Sequence, residues 1–224
     1  MTDRPILFSA PMIRVILREI AAPGTGKTQT RRIIHPYEVV PHPFKGAKAA
    51  PSNLMVVKVP ARLGGFIDGP TFSPRFAPGD RLWVREAFSY DRLDVDRDGI
   101  LPPWYWADGN PDAGDWTRPK PSIHMPRWAS RLTLIVTDVR VQRLQDISED
   151  DARAEGIEHD QDRSRGNVIA WRDYLDRGGK CGTAIASFRS LWDSLNAERA
   201  PWAGNPWVVA VTFRPVLGNI GGKA

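Results

Sequence analysis

The sequence predicts an α+β fold, a small barrel or curled sheet that carries a few helices. Three observations lead there. Several strand-like runs occur that do not alternate regularly with helical ones, as a doubly wound parallel sheet would require. The intervening loops are dense in proline and glycine, with 20 and 19 of them in 224 residues. The chain closes on Trp207-Val208-Val209-Ala210-Val211-Thr212-Phe213, a β-branched and aromatic run that reads as a buried strand. There is no internal repeat.

Taken in order, Ile6-Leu7-Phe8 reads as a short apolar strand. Ser9 before Pro11 is a good helix start, and Met12, Val15, Ile16 and Ile20 follow at helical spacing. Ala21 to Gly26 breaks that helix, and Thr28 to Ile34 reads as a strand. From His35 to about Pro74 the chain is irregular, either a loop or an insertion with a short strand at Leu54 to Val59. Pro78-Gly79-Asp80 signals a turn, and Arg81 to Phe88 alternates polar and apolar as a half-buried strand does. Trp104 to Ala107 reads as a strand and Asp108-Gly109 as a turn. Leu132 to Val141 is the clearest strand in the chain. Ser148, with Asp151 three residues on, opens a short helix that runs to Glu155 and stops at Gly156. A helix around Val168 to Leu175 is expected, then a firm one from Ala184 to Asn196 with Phe188, Leu191, Trp192 and Leu195 on one face. Gly218 to Ala224 reads as a frayed tail.

The bulk numbers narrow the classes. The chain has the length of one large domain, with 42% hydrophobic and 25% charged residues, which is ordinary for a globular protein. No apolar run approaches the ~18 residues of a membrane span. The N-terminus lacks the layout of a signal peptide, and the single Cys181 suits a reducing cytoplasm. No cysteine–histidine grouping supports a metal site, and nothing demands a cofactor. The net charge of +5 is mild but unevenly spread. Residues 1–36 hold six basic residues against two acids, whereas residues 146–163 hold eight acids against two arginines. A basic region suits a polyanion such as RNA; solvated surface charge is the plainer account.

The stretch Gly26-Lys27-Thr28-Gln29-Thr30-Arg31-Arg32 concentrates the chemistry. With the residues before it, it imitates a nucleotide-binding P-loop, but Ala21 stands where that pattern needs its first glycine. The order is also reversed, helix then strand, so no helix N-terminus is offered to phosphates. A lysine beside hydroxyls is either a base beside a nucleophile or a phosphate-binding edge. For the first, Lys27 must be partly neutral, and burial or Arg31 and Arg32 push it that way. Residues three apart in a strand face opposite sides, so Lys27 must also sit in the loop or at a bulge to meet Thr30. The competing account is an exposed lysine before a strand whose threonines serve β-propensity.

Several pieces then line up: the N-terminal helix, Gly26-Lys27-Thr28-Gln29-Thr30-Arg31-Arg32, Gly79-Asp80-Arg81-Leu82 entering a strand, the long strand, Ile147-Ser148-Glu149-Asp150-Asp151-Ala152-Arg153-Ala154-Glu155-Gly156, an aromatic helix and a closing strand. This ordered set resembles the ASCH-domain family, whose fold is a PUA-like small β-barrel. It is most similar to the longer phage and prophage members, which share Pro121-Ser122-Ile123-His124-Met125-Pro126-Arg127-Trp128-Ala129-Ser130-Arg131. The chain departs from the family at Glu19 to Gly26, where the usual link is shorter. The resemblance implies one ASCH domain over residues 1–217, with flanking helices and with insertions at about 35–75, 89–120 and 158–182.

The resemblance implies work on RNA or a modified nucleoside; the cysteine usage and the lack of an apolar span lead to the expectation of a cytoplasmic protein with no membrane partner, and a monomer is expected. One compact bacterial branch is similar to an acetylcytidine amidohydrolase that uses lysine, threonine and glutamate; these fall on Lys27, Thr30 and Glu155. Other members are thought of as RNA binders or ribonucleases. Glu155 ends its helix, where the dipole disfavours negative charge, which suits a proton shuttle; the alternative is one more acid on a solvated helix. Arg31, Arg32, Arg85, Arg127 and Arg131 are candidate phosphate contacts, and His124 a candidate substrate contact. Trp104, Trp106, Trp116 and Trp128 are candidates to stack on bases, with Trp83, Trp192 and Trp207 expected in the core.

Overall fold

A computed structural model describes residues 2–34, 38–41, 55–60, 66–72, 74–92, 103–160, 170–176 and 181–221, with the backbone alone for 38–41, 55–60 and 66–72. Its elements are β1 (Asp3–Leu7), α1 (Ala10–Ala21), β2 (Gln29–Ile33), β3 (Glu38–Pro41), β4 (Met55–Pro60), β5 (Phe66–Phe72), β6 (Arg81–Arg85), β7 (Phe88–Ser89), β8 (Trp104–Tyr105), β9 (Leu132–Arg143), α2 (Glu149–Ala154), α3 (Ala184–Asn196) and β10 (Trp207–Leu217). The α+β expectation therefore holds, with a mostly sheet core and three α-helices among the described residues. Among those residues no sheet closes into a barrel.

The chain divides into two compact units. The first comprises Met1–Thr28, Pro78–Thr137 and Phe213–Ala224. Here β1 pairs parallel with β6, Asp3 against Arg81 through Leu7 against Arg85, and β6 pairs antiparallel with β9. The strand order continues to β10. Alternation along β6 buries Leu82 and Val84 and leaves Arg81, Trp83 and Arg85 half-buried, so Trp83 is not the core residue its type suggested. It lies instead under the Arg85 guanidinium, 5.3 Å from the ring centre. Helix α1 buries Ile13, Val15 and Ile16, the stripe its spacing dictates, each worth about 1.5–3 kcal/mol. Ser9 holds the cap position without a side-chain hydrogen bond; its carbonyl accepts from Ile13 instead.

A second small cluster in this unit forms around Phe88, Met125 and Ala129, with Tyr90 and Tyr105 packed against it. β7 and β8 pair beside it, and single-turn 3-10 helices at Ser122–His124 and Arg127–Ala129 bracket Met125. The end of the chain is held rather than frayed as far as Gly221. Asn219 Nδ2 donates to the carbonyls of Arg127, Trp128 and Ser130 at 2.8, 3.0 and 2.8 Å, and Ile220 is buried.

The second unit comprises Gln29–Ala77 and Asp138–Thr212. Its strand order is β9, β10, β2, with β10 and β2 antiparallel and Thr30 opposite Val211. Ser148 Oγ accepts from the Asp151 amide, as expected of a cap, and Gly156 takes a φ of +83° where α2 stops. Helix α3 has the limits its periodicity predicts and is capped by Thr183. Glu149 of α2 also accepts from the Ala184 and Ile185 amides, placing a carboxylate at the N-terminus of α3. Phe188, Leu191 and Trp192 are buried, but Leu195 is 60% exposed, contrary to its expected place on the apolar face. Trp207 is half-buried under Arg143, while Trp171 and Trp202 join Trp192 in the core.

The irregular region expected from His35 to about Pro74 contains a three-stranded antiparallel sheet, β3-β4-β5, with β4 where the short strand was expected. Of the helix expected around Val168 to Leu175, residues 168 and 169 lie outside the described residues. Residues 170–176 form a bridge and a turn: Trp171 exchanges backbone hydrogen bonds with Cys181.

Candidate functional site

In the first unit the sequence delivers Lys27 by a tightly built loop. Glu19, in the last turns of α1, accepts from the Gly24 amide at 3.0 Å and the Gly26 amide at 2.8 Å. The Lys27 amide donates to the Val15 carbonyl. Gly26 passes so close to α1 that a Cβ there would lie 2.3 Å from the Val15 oxygen and 2.4 Å from the Glu19 nitrogen. The longer link between helix and lysine is thus folded back on the helix. Lys27 lies before β2 begins, in the loop, and is 2% exposed. An exposed lysine ahead of a strand is therefore ruled out. Lysine is almost never fully buried unless it is paired.

In the second unit, side-chain alternation places Gln29 and Arg31 on one face of β2 and Thr30 and Arg32 on the other. Arg31 is the hub of the first face. Its Nη1 donates to Gln29 Oε1 at 2.6 Å and to Glu155 Oε1 at 2.8 Å; its Nη2 donates to Asp151 Oδ2 at 3.0 Å. Phe188 covers its guanidinium at 5.6 Å. Asp151 also accepts from Gln29 Nε2 and Arg140 Nη2, and Gln29 donates in addition to Thr212. Burial pushes the Asp151 carboxyl up, but the Arg140 and Gln29 hydrogen bonds outweigh it and leave its pKa below the ordinary value.

Thr30 and Glu155 are buried, at 5% and 4% exposure. Arg32 on the second face keeps an exposed surface, yet partial burial lowers its pKa, with the Glu155 charge opposing that shift and Arg199 adding to it. Glu155 is therefore hydrogen-bonded by Arg31 and within the electrostatic reach of Arg32. Of the residues read from the sequence as phosphate contacts, Arg31 has its Nη donors on Gln29, Asp151 and Glu155 instead. Asp151 was visible only as a capping residue. Its spacing of four from Glu155 places both carboxylates on one side of α2, and that spacing was the available signal.

The remaining candidates lie in the first unit. Arg131 forms two pairs of hydrogen bonds, to Glu86 at 2.9 and 3.0 Å and to Asp108 at 2.6 and 2.8 Å, and lies 4.0 Å over the Tyr105 ring. Its donors thus satisfy carboxylates, one of them 1% exposed, rather than being held out for a phosphate. Burial raises the Glu86 pKa against the pull of Arg131 and pushes the Tyr105 phenol up to about 12. Arg85 donates to the Ser122 carbonyl. Arg127 bonds Asp3, whose carboxylate is also held by Arg81. His124 is exposed, and Trp128 is 53% exposed and stacked on Tyr90. Trp104 and Trp116 pack against one another at 5.7 Å, and Trp106 donates to Ser89.

Among the described residues no group of histidine, cysteine, aspartate and glutamate could hold a metal ion. No helix among them is long and apolar enough to cross a membrane. No family model matches the chain, no curated protein matches its sequence, and no solved structure matches its fold.

Proposed function

We propose that this chain is an ASCH-type, PUA-like domain that acts on RNA or a nucleoside derived from it, and that it hydrolyses the amide of an acylated cytosine. The observation that carries the reading is the burial of the three groups the chemistry needs: Lys27, Thr30 and Glu155 are 2%, 5% and 4% exposed. Burying a lysine and a glutamate is costly unless each is given a partner, and Arg31 supplies one to Glu155. The ordered motifs and the α+β architecture support the domain assignment.

In the proposed reaction Thr30 Oγ adds to the acyl carbon and Lys27 takes the hydroxyl proton. The proton that Lys27 has taken is relayed through the Glu155 carboxylate to the exocyclic nitrogen as the carbon–nitrogen bond breaks, releasing cytidine and leaving Lys27 neutral and Glu155 ionised. Water then hydrolyses the threonyl ester to a carboxylic acid and restores Thr30. The test is incubation of the purified protein with acylated cytidines, read by mass. Cytidine release that Lys27→Ala abolishes is the expected result. Intact nucleosides with the wild-type protein would refute the hydrolase reading.

A further inference from the structure

One surface of the first unit combines an exposed Trp128, stacked on a half-buried Tyr90, with a basic stretch of chain. Trp128 stacks on Tyr90 with ring centres 6.0 Å apart and planes inclined by 22°. Tyr90 is itself fixed from below by the edge of Phe88 at 5.1 Å. Lys120 Nζ lies 4.7 Å over the Tyr90 ring. We propose that Trp128 and Tyr90 form a stacking platform for an unpaired base of single-stranded RNA, with Lys120 and Arg127 holding the adjoining phosphates.

The platform is built in advance. Met125 and Ala129, either side of Trp128, are each 1% exposed, so the turn that carries Trp128 is anchored through its neighbours and the indole is directed outward. Asn219 clamps the carbonyls of the same turn. Tyr90 is held by its amide donating to Thr117 Oγ1 and by its carbonyl accepting from the Thr117 amide. One face of Trp128 meets Tyr90, and an indole left 53% exposed by a rigid turn has its other face for a ligand. Every base has a π-face, so such a site is sequence-tolerant.

Charge selects the occupant. From Trp116 to Thr137 the sequence contains Arg118, Lys120, Arg127 and Arg131 and no acid at all. Arg118, Lys120, His124 and Arg127 are exposed. Arg127 shares the single Asp3 carboxylate with Arg81, so that trio keeps a net positive charge. An aromatic platform rimmed by cations matches a base with its phosphates better than it matches a second copy of the same cationic surface.

This inference rests on the RNA reading above, and the experiment separates the two. Anisotropy of a fluorescein-labelled short single-stranded RNA is titrated with wild type, Trp128→Ala, Trp128→Phe and Lys120→Ala, with the same sequence as a duplex for comparison. The expected result is binding to the single strand, about tenfold or more weaker in Trp128→Ala and largely kept in Trp128→Phe. Lys120→Ala should flatten the salt dependence, and the duplex should bind more weakly because its bases are already stacked. Trp128→Ala binding like the wild type overturns the platform. So does a wild type that ignores the single strand while Trp128→Ala abolishes self-association in sedimentation. Cytidine release is scored on the same wild-type preparation. If it is absent while Trp128-dependent binding is present, the platform stands and only the hydrolase reading falls.

Discussion

Arg31 donates to Glu155 across 124 residues of sequence, at 2.8 Å, with the two side chains 0% and 5% exposed. The same guanidinium holds Asp151 at 3.0 Å, so one cation compensates two carboxylates that water reaches poorly. Removing one partner of a buried ion pair leaves the other charge uncompensated, which costs more than the pair itself contributes. Arg31→Ala should therefore destabilise the protein by about 3–5 kcal/mol, read from urea unfolding. Arg31→Lys should recover only part, because a single ammonium lacks the fork that spans both carboxylates. An alanine variant within about 0.5 kcal/mol of wild type would show that the network carries no such burden.

This pairing also marks where the sequence stops being legible. Helical spacing was enough for α1 and α3, and runs of β-branched and apolar residues were enough for β9 and β10. The spacing placed α3 between Ala184 and Asn196, as observed, yet set Leu195 on the apolar face. Helical spacing says which residues share a face, not how far the neighbouring surface extends, and Leu195 is exposed near the end of α3. Trp83 was assigned to the core by its type; the alternation of its strand, equally visible, puts it on the other face. Arg31 and Arg131 were read as phosphate contacts because they are arginines in basic stretches. Their carboxylate partners are supplied 124 and 45 residues away, and nothing local announces them. The loop position of Lys27 was legible as a condition for its chemistry, whereas its burial was not.

Thr30 separates the chemistry from the fold. It is buried in β2 opposite Val211, a site where a β-branched residue suits the strand. Thr30→Val keeps the branching and removes the hydroxyl, so the protein should fold while cytidine release is lost. Thr30→Ser keeps the nucleophile and should retain measurable turnover. Mass-detected release of cytidine, with melting curves on the same samples, checks both. A valine variant as active as wild type would remove Thr30 from the reaction.

Gly26 tests the loop that delivers Lys27. The obstruction to a Cβ there is backbone, the Val15 oxygen and the Glu19 nitrogen, which no rotamer change relieves. Gly26→Ala should therefore displace the loop or strain α1, costing about 1–3 kcal/mol as overpacking does. Glu19→Gln keeps the acceptor oxygen for the Gly24 and Gly26 amides but removes the charge, so it should cost less than Gly26→Ala. Thermal unfolding of the two variants ranks them; equal stability of Gly26→Ala and wild type would mean the loop opens freely.

Acid unfolding should report on Asp151. Its folded pKa is lowered, net of the burial that opposes the shift, by Arg140, Gln29 and Arg31. A depressed carboxyl contributes stability above its unfolded pKa, about 3.9, and loses it as pH falls through the lower folded value. Asp3, lowered chiefly by the Arg81 hydrogen bond, acts in the same direction. The wild-type melting temperature should therefore hold steady above about pH 5 and drop steeply through the carboxylate range. Asp151→Asn should melt lower at neutral pH, because Arg31 and Arg140 each lose a charged partner. Its curve should also be flatter in acid, sloping only with Asp3 and the other paired carboxylates. The gap between the two curves should then close as pH falls. Parallel curves would mean that Asp151 is not charged in its native pairing, and the Arg31 hub would have to be held by Glu155 alone.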